Sequence, residues 1–122
     1  MGEKILLVED ESITRASIAD LLRQHDYEVD EAPDGVKAAE LFGTRHFDLL
    51  ITDLVMPKMN GFKLITAVHS MSPHTPIVLI TAYLSLVSGK AILGEKAEVV
   101  AKPIDPDVLL TTVKHFLTPR IN

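Results

Sequence analysis

Five short apolar or alternating runs are separated by segments whose apolar residues recur with a helical period, and this alternation constrains the fold most. The runs have strand length and lie at residues 4–8, 28–32, 48–52, 77–81 and 99–101. Parallel strands need crossover connections, which are usually helices, so the alternation is typical of a parallel sheet covered on both faces. We therefore predict an α/β fold, a (βα)5 doubly wound domain with five parallel strands in the order 2-1-3-4-5.

The segments between the runs supply the predicted helices. In the first of them, SITRASIADLLRQH, Ser12 is expected to act as the N-cap. Apolar residues at helical spacing, among them Ile13, Val36 and Val108, are expected to pack in the core. A weaker helix is predicted within residues 83–94, because a glycine in its interior costs up to about 1 kcal/mol relative to alanine.

Length and charge exclude several classes of protein. A chain of 122 residues fits one domain, so we expect residues 1–122 to form a single unit. Its 17 acidic side chains outnumber 12 Lys and Arg, which disfavours nucleic-acid binding, and its lack of cysteine removes disulfides and thiolate nucleophiles. No apolar stretch approaches the roughly 20 residues of a membrane span, and the beginning of the chain is unlike a signal peptide. We therefore expect a soluble, cytoplasmic protein without membrane association.

Charged and polar side chains stand at the ends of four of the predicted strands. In chain order they are Glu9, Asp10, Asp53, Thr81 and Lys102. In a doubly wound sheet, ligands bind outside the carboxyl ends of the strands, where the strand order reverses between strands 1 and 3. Acids gathered there repel one another unless a cation is present, and a hard divalent cation such as Mg2+ takes oxygen ligands. The pattern therefore indicates a magnesium site at this edge of the sheet.

Each of these residues also has an ordinary structural explanation, since Asp10 could cap a helix and Asp53 could begin a turn. Their coincidence at four strand ends is what those explanations leave unexplained. Carboxylates, a metal cation, a hydroxyl and an ammonium group are the parts that phosphoryl transfer needs, because its catalysis is mostly positioning and neutralisation of charge. An aspartate carboxylate can also be the nucleophile, which gives an aspartyl phosphate.

In the order and position of these residues, the chain resembles the receiver domain of two-component response regulators over essentially its whole length. The matching motifs are LLVEDE with Glu9 and Asp10, ITDLVMPKMNG with Asp53, ITAY with Thr81, and AKP with Lys102. The resemblance implies that Asp53 accepts a phosphoryl group from a histidine kinase or a histidine phosphotransfer protein. It further implies a conformational switch that regulates an output domain or protein, which the sequence does not identify, and no turnover of an external substrate.

The resemblance also implies how Mg2+ is held. Asp10, Asp53 and the backbone carbonyl of Val55 would be ligands, and Glu9 would act directly or through a water molecule. These assignments come from the matched motifs and not from the spacing of the residues.

Two further implications concern the phosphoryl group and its signal. Thr81 would donate a hydrogen bond to one phosphoryl oxygen, Lys102 would pair with another, and the Lys102–Pro103 peptide would be cis. Similar receivers often carry Tyr or Phe three residues before this lysine, where the present chain has Val99. Because a β-branched side chain is stiff at χ1 and lacks the reach of a ring, we expect ordering or shifting of residues 83–94 to carry the signal instead.

Three other functions share part of this pattern. A haloacid-dehalogenase-like phosphatase also uses a strand-end aspartate, but its DxD motif fails here because Val55 stands two residues after Asp53. A flavodoxin-like cofactor domain shares the strand order, but the first loop, EDESITRA, lacks glycine and carries acids that repel an anionic cofactor. The alternative left open is a degenerate receiver that acts as an unphosphorylated interaction module.

Overall fold

A computed structural model describes residues 2–87 and 96–118 of the chain. Its five strands are β1 (Lys4–Val8), β2 (Glu28–Ala32), β3 (Leu49–Asp53), β4 (Ile77–Thr81) and β5 (Ala97–Ala101). All neighbouring pairs run parallel, in the order β2-β1-β3-β4-β5, which confirms the predicted sheet. The register pairs Val8 with Thr52 and Asp53 with Ile80, so β1, β3 and β4 end at the same edge.

Four α-helices cover the two faces of the sheet in the described residues. They are α1 (Ser12–Gln24), α2 (Gly35–Thr44), α3 (Gly61–Met71) and α4 (Pro106–Leu117). On one face, α1 and α4 contribute Leu22 and Leu109 to the core, whereas on the other α2 and α3 contribute Phe42 and Leu64. This is the doubly wound arrangement that the sequence predicts. Within residues 2–87 and 96–118, no helix has the length and apolar character needed to cross a bilayer.

Strand β3 is buried along its whole length, because helices cover the sheet on both sides. Leu50 packs in the cluster under α2 and α3, and the alternate residues Leu49 and Ile51 pack under α1 and α4. Such burial stabilises the fold by roughly 1.5–3 kcal/mol for each large aliphatic side chain. It also means that Asp53, at the end of the strand, is only 6% exposed and needs polar or charged partners.

The beginnings of the helices differ from the sequence prediction. The N-cap of α1 is Glu11 rather than Ser12, and it makes no side-chain capping hydrogen bond. Three of the large apolar residues expected in the core are exposed, with exposed fractions of 78% for Ile13, 42% for Val36 and 50% for Val108. Each lies in the first turn of its helix, next to the carboxyl edge of the sheet. The helical period identifies the apolar face but does not show where the sheet beneath it ends.

The segment between β4 and β5 is described only in part. A short 3-10 helix lies at Leu84–Leu86, and Val87 packs against the core. The side chains of Tyr83, Leu84 and Leu86 are each more than half exposed. The rest of the predicted helix, and with it most of the segment predicted to carry the signal, falls at residues 88–95 and lies outside the described residues.

Candidate functional site

The carboxyl ends of β1 and β3 bring three acidic side chains together. Glu9 directly follows β1 and is 2% exposed, Asp10 is exposed, and Asp53 ends β3. One carboxylate oxygen from each of the three lies within 4.8 Å of the others. The register explains this proximity, since Val8 of β1 pairs with Thr52 of β3 and the residues that follow them, Glu9 and Asp53, lie side by side.

Lys102 joins these acids from the end of β5. Its Nζ lies 2.6 Å from Asp53 Oδ2, and 3.2 and 3.3 Å from the two carboxylate oxygens of Glu9. The backbone N–H of Lys102 donates to the Thr81 carbonyl, and the Lys102–Pro103 peptide is cis, as the resemblance implied. The ammonium group therefore bridges carboxylates that come from two different strand ends. We call Glu9, Asp10, Asp53 and Lys102 the acidic cluster.

The acidic cluster carries more negative than positive charge. Burial raises the pKa of Glu9 to about 7, and the adjacent Asp53 adds to this effect, whereas Lys102 acts against it. Burial lowers the pKa of Lys102, but its ion pairs with Asp53 and Glu9 outweigh burial and raise that pKa above its usual value. Beyond burial, both shifts reflect the proximity of the Glu9 and Asp53 carboxylates to each other and to one ammonium group. This excess of negative charge favours a further cation.

Thr81 and Val55 lie next to the acidic cluster. Thr81 is fully buried, and its hydroxyl oxygen accepts a hydrogen bond from the Tyr83 N–H at 2.8 Å. It stands one residue beyond Ile80, the register partner of Asp53, and a hydroxyl that accepts one bond still has its proton to donate. The Val55 N–H lies 3.4 Å from Asp53 Oδ1. The structure places both residues at the same edge of the sheet as the acids. The role of the Thr81 hydroxyl toward a phosphoryl oxygen and that of the Val55 carbonyl as a ligand stay predictions.

Gly61 lets α3 approach the backbone of the site closely. Its N–H donates to the Leu54 carbonyl at 2.8 Å, and Asn60 caps the helix by accepting from the Lys63 N–H at 2.9 Å. A Cβ at position 61 would lie 2.6 Å from the carbonyl oxygen of Asp53, much closer than a van der Waals contact allows. Asn60 and Gly61 therefore let the first turn of α3 pack directly against the backbone of Asp53 and Leu54.

Replacement of Gly61 by alanine is expected to destabilise the protein. Forcing an extra methyl group into a packed site costs about 1–3 kcal/mol, so the free energy of unfolding should fall by that amount. Gly43→Ala is the matched control, because its Cβ would lie an unstrained 3.8 Å from the Met71 sulfur. Gly43 is inside α2, where alanine should stabilise by roughly 0.5–1 kcal/mol. Urea denaturation followed by circular dichroism measures both, and equal midpoints would contradict the close approach of α3.

The structure adds Arg15, in α1, which the sequence analysis did not single out. Its guanidinium donates to the backbone carbonyl of Glu9 at 2.7 Å and lies 3.4 Å from a carboxylate oxygen of Glu31 in β2. In the sequence, Arg15 is a charged residue on an amphipathic helix, where such residues usually face solvent. Only the orientation of α1 at the end of β1 shows that this side chain reaches back to the acidic cluster.

Comparison with known proteins identifies the family. The family model described as "Response regulator receiver domain" matches residues 5–114, which is most of the chain. The chain belongs to the response regulator receiver family. This receiver domain is 34% identical to the Regulator of RpoS of Escherichia coli over 105 residues, which are 85% of this chain and 31% of that protein.

Other curated relatives are longer than the receiver domain, and solved structures share its fold. The domain spans between 12% and 32% of the length of the curated relatives that it matches. The CheY4 structure from Vibrio cholerae has a TM-score of 0.85 and 33% identity, covering 96% of this chain and 100% of that chain. The TrrA structure from Thermotoga maritima, described as a complex with Mg2+-BeF, has a TM-score of 0.86 and 30% identity, covering 94% and 99%.

Proposed function

We propose that this receiver domain, taken as residues 1–122, accepts a phosphoryl group on Asp53 in a two-component phosphorelay. The observation that carries the proposal is the contact of Lys102 Nζ with Asp53 Oδ2 at 2.6 Å, beside the carboxylates of Glu9 and Asp10. Asp53 suits the role of nucleophile because it ends the central strand β3. Other acids lie beside it, and the ammonium group of Lys102 contacts its carboxylate.

The transfer proceeds by attack of an Asp53 carboxylate oxygen on the phosphorus of a phosphohistidine. A new oxygen–phosphorus bond forms, the phosphorus–nitrogen bond breaks, and its electron pair returns to the imidazole ring of the donor. Lys102 then pairs with one phosphoryl oxygen, and the Thr81 hydroxyl donates to another. Water later attacks the phosphorus, the bond between phosphorus and the Asp53 oxygen breaks, and its electron pair returns to the carboxylate as inorganic phosphate leaves. The domain therefore resets its own state and does not turn over an external substrate.

Mg2+ fits the donor set of the acidic cluster. Hard divalent cations prefer carboxylate and carbonyl oxygens, and a cation offsets the repulsion by Asp53 that, after burial, helps to raise the pKa of Glu9. Asp10, Asp53 and the carbonyl of Val55 would hold the ion, with Glu9 acting directly or through a water molecule. Bound Mg2+ would neutralise charge on the transferring phosphoryl group. The Mg2+-BeF complex of TrrA supports this assignment, because BeF stands in for a phosphoryl group.

The phosphodonor is a histidine kinase or a histidine phosphotransfer protein, and the output is a domain or protein that the switch regulates. Two curated relatives, LuxN and TmoS, are named as sensor kinases, and a third, AtoC, is named as a regulatory protein. These relatives support a role for the domain in passing a signal from a sensor kinase to an output. A degenerate receiver that works without phosphorylation is not favoured, because it would have no need of an acidic cluster held by Lys102.

The test is incubation of the purified domain with acetyl phosphate and Mg2+, followed by measurement of the intact mass. We expect one phosphoryl group on each chain, and none when EDTA removes the divalent metal. Hydroxylamine, which cleaves acyl phosphates, should then remove the group. An unchanged mass in the presence of Mg2+ would favour the unphosphorylated interaction module instead.

The raised pKa of Glu9 predicts that Mg2+ binding depends on pH. Near pH 6 this carboxyl is mostly protonated, so Mg2+ must displace a proton, whereas above about pH 8 it is ionised. The Kd for Mg2+ should therefore fall as pH rises, by up to about tenfold per pH unit below the pKa, with release of a proton. Without metal the sign is opposite: this carboxyl's contribution to stability is present below its ordinary pKa of 4.5 and is lost as pH rises through about 7.

Isothermal titration calorimetry in buffers of different ionisation enthalpy measures both the Kd and the number of protons released. Glu9→Gln is the control, because it removes the titrating group while keeping a similar side-chain shape. A Kd that changes equally with pH in both proteins would show that another group titrates.

A further inference from the structure

A second charge network, formed by Arg15, Arg23 and Glu31, lies beside the acidic cluster. Arg15 Nε is 3.4 Å from Glu31 Oε1 and Arg23 Nη1 is 3.2 Å from Glu31 Oε2, so the two arginines share one carboxylate. Their remaining contacts differ. Arg15 Nη1 donates to the Glu9 carbonyl at 2.7 Å, whereas Arg23 Nη2 donates to the Val29 carbonyl at 2.8 Å. Arg15 thus bonds the backbone of the acidic cluster, and Arg23 bonds β2.

The contact with Arg15 fixes the peptide plane that follows Glu9. The Glu9 N–H donates to the Ala32 carbonyl of β2 at 3.2 Å, and the Glu9 carbonyl accepts from Arg15. Both backbone polar groups of Glu9 are therefore tied to neighbouring elements. The orientation of this backbone determines where the Glu9 side chain points, which is toward Lys102. It also determines the position of the next residue, Asp10.

We propose that Arg15 is a positioning residue for the Mg2+ site, and that it acts through the backbone of Glu9 and not through its own charge. This inference rests on the proposed function, because it takes the acidic cluster as the holder of Mg2+. Groups that orient metal ligands in this way commonly change metal affinity by roughly tenfold to a hundredfold when they are removed.

Charge and positioning predict opposite results when Arg15 is removed. A positive charge near the acids repels Mg2+, so loss of that charge alone would strengthen binding. Loss of the hydrogen bond frees the Glu9–Asp10 peptide to turn, which separates the carboxylates and weakens binding. Glu31 lies against the Arg15 guanidinium and offsets part of its charge, so we expect the positioning effect to be the larger of the two.

The experiment compares Arg15→Met with Arg23→Met by isothermal titration calorimetry with Mg2+ alone. Each variant removes one guanidinium from the same partner, Glu31, but only Arg15→Met removes the bond to Glu9. We expect Mg2+ to bind Arg15→Met about tenfold to a hundredfold more weakly than the wild type. Arg23→Met should bind with unchanged or slightly higher affinity. Urea midpoints of both variants separate this effect from a loss of stability, which a purely structural role would cause without changing the Kd.

Two outcomes would overturn the inference. One is an Mg2+ affinity of Arg15→Met equal to or higher than that of the wild type. The other is an equal weakening in both variants, which would trace the effect to Glu31. Should Arg15→Met fail to fold, Arg15→Lys decides the matter, because its ammonium group keeps the charge but lacks the planar fork with which Arg15 holds the Glu9 carbonyl and Glu31 together. Mg2+ affinity at the wild-type level in Arg15→Lys would then overturn the inference and leave the proposed function standing. A wild-type domain that binds no Mg2+ would overturn both.

Discussion

Asp53→Asn is expected to abolish covalent phosphorylation while the domain stays folded. The amide has nearly the shape of the carboxylate but is a poor nucleophile, so no aspartyl phosphate forms. Asp53 is 6% exposed and repels Glu9, and loss of its charge removes that repulsion. Lys102 keeps its ion pair with Glu9, so the substitution leaves no buried charge alone. The metal-free variant should therefore unfold at a urea concentration close to that of the wild type.

Intact mass after incubation with acetyl phosphate and Mg2+ measures this result. Asp20→Asn is the matched control, because Asp20 is exposed on α1 and the substitution makes the same chemical change. That control should gain one phosphoryl group, as the wild type does. If Asp53→Asn also gained one, the acceptor would be another acid, and peptide mass spectrometry would show whether it is Asp10.

The fold follows from the sequence because strand and helix periods are local properties. Residues such as Leu50 and Ile51 belong to a continuous apolar run, which is typical of a strand buried on both faces. Five such runs in alternation with helical segments require crossover connections, and the right-handedness of these connections leaves few strand orders. Asp53 and Lys102 then come to one edge, because the carboxyl ends of parallel strands lie together.

The details of that edge depend on distances that no local pattern contains. The Arg15 guanidinium reaches the Glu9 carbonyl only because α1 leaves β1 at a particular angle. The raised pKa of Glu9 depends first on burial, which the sequence does not show for a glutamate at a strand end. Ile13 has the spacing of a core residue but lies in the first turn of α1, where it is exposed.

Lys102→Ala is expected to slow phosphorylation of Asp53 strongly while Mg2+ still binds. Removal of one group that stabilises developing charge typically lowers a rate by about a hundredfold to a thousandfold, and Lys102 is such a group if it pairs with a phosphoryl oxygen. Mg2+ affinity should rise rather than fall, because the ammonium group that competes for Glu9 and Asp53 is gone. The metal-free variant should be less stable than the wild type, since Glu9 and Asp53 then face each other without a cation.

The measurements are a time course of intact mass with acetyl phosphate and calorimetric titration with Mg2+. Lys114→Ala is the matched control, because it removes the same charge from an exposed position in α4. Its rate of phosphorylation and its Mg2+ affinity should match the wild type. Loss of Mg2+ binding in Lys102→Ala would mean that the lysine holds the cluster together structurally. A wild-type rate with intact Mg2+ binding would mean instead that Lys102 pairs with the acids only until the cation arrives, and takes no part in the transfer.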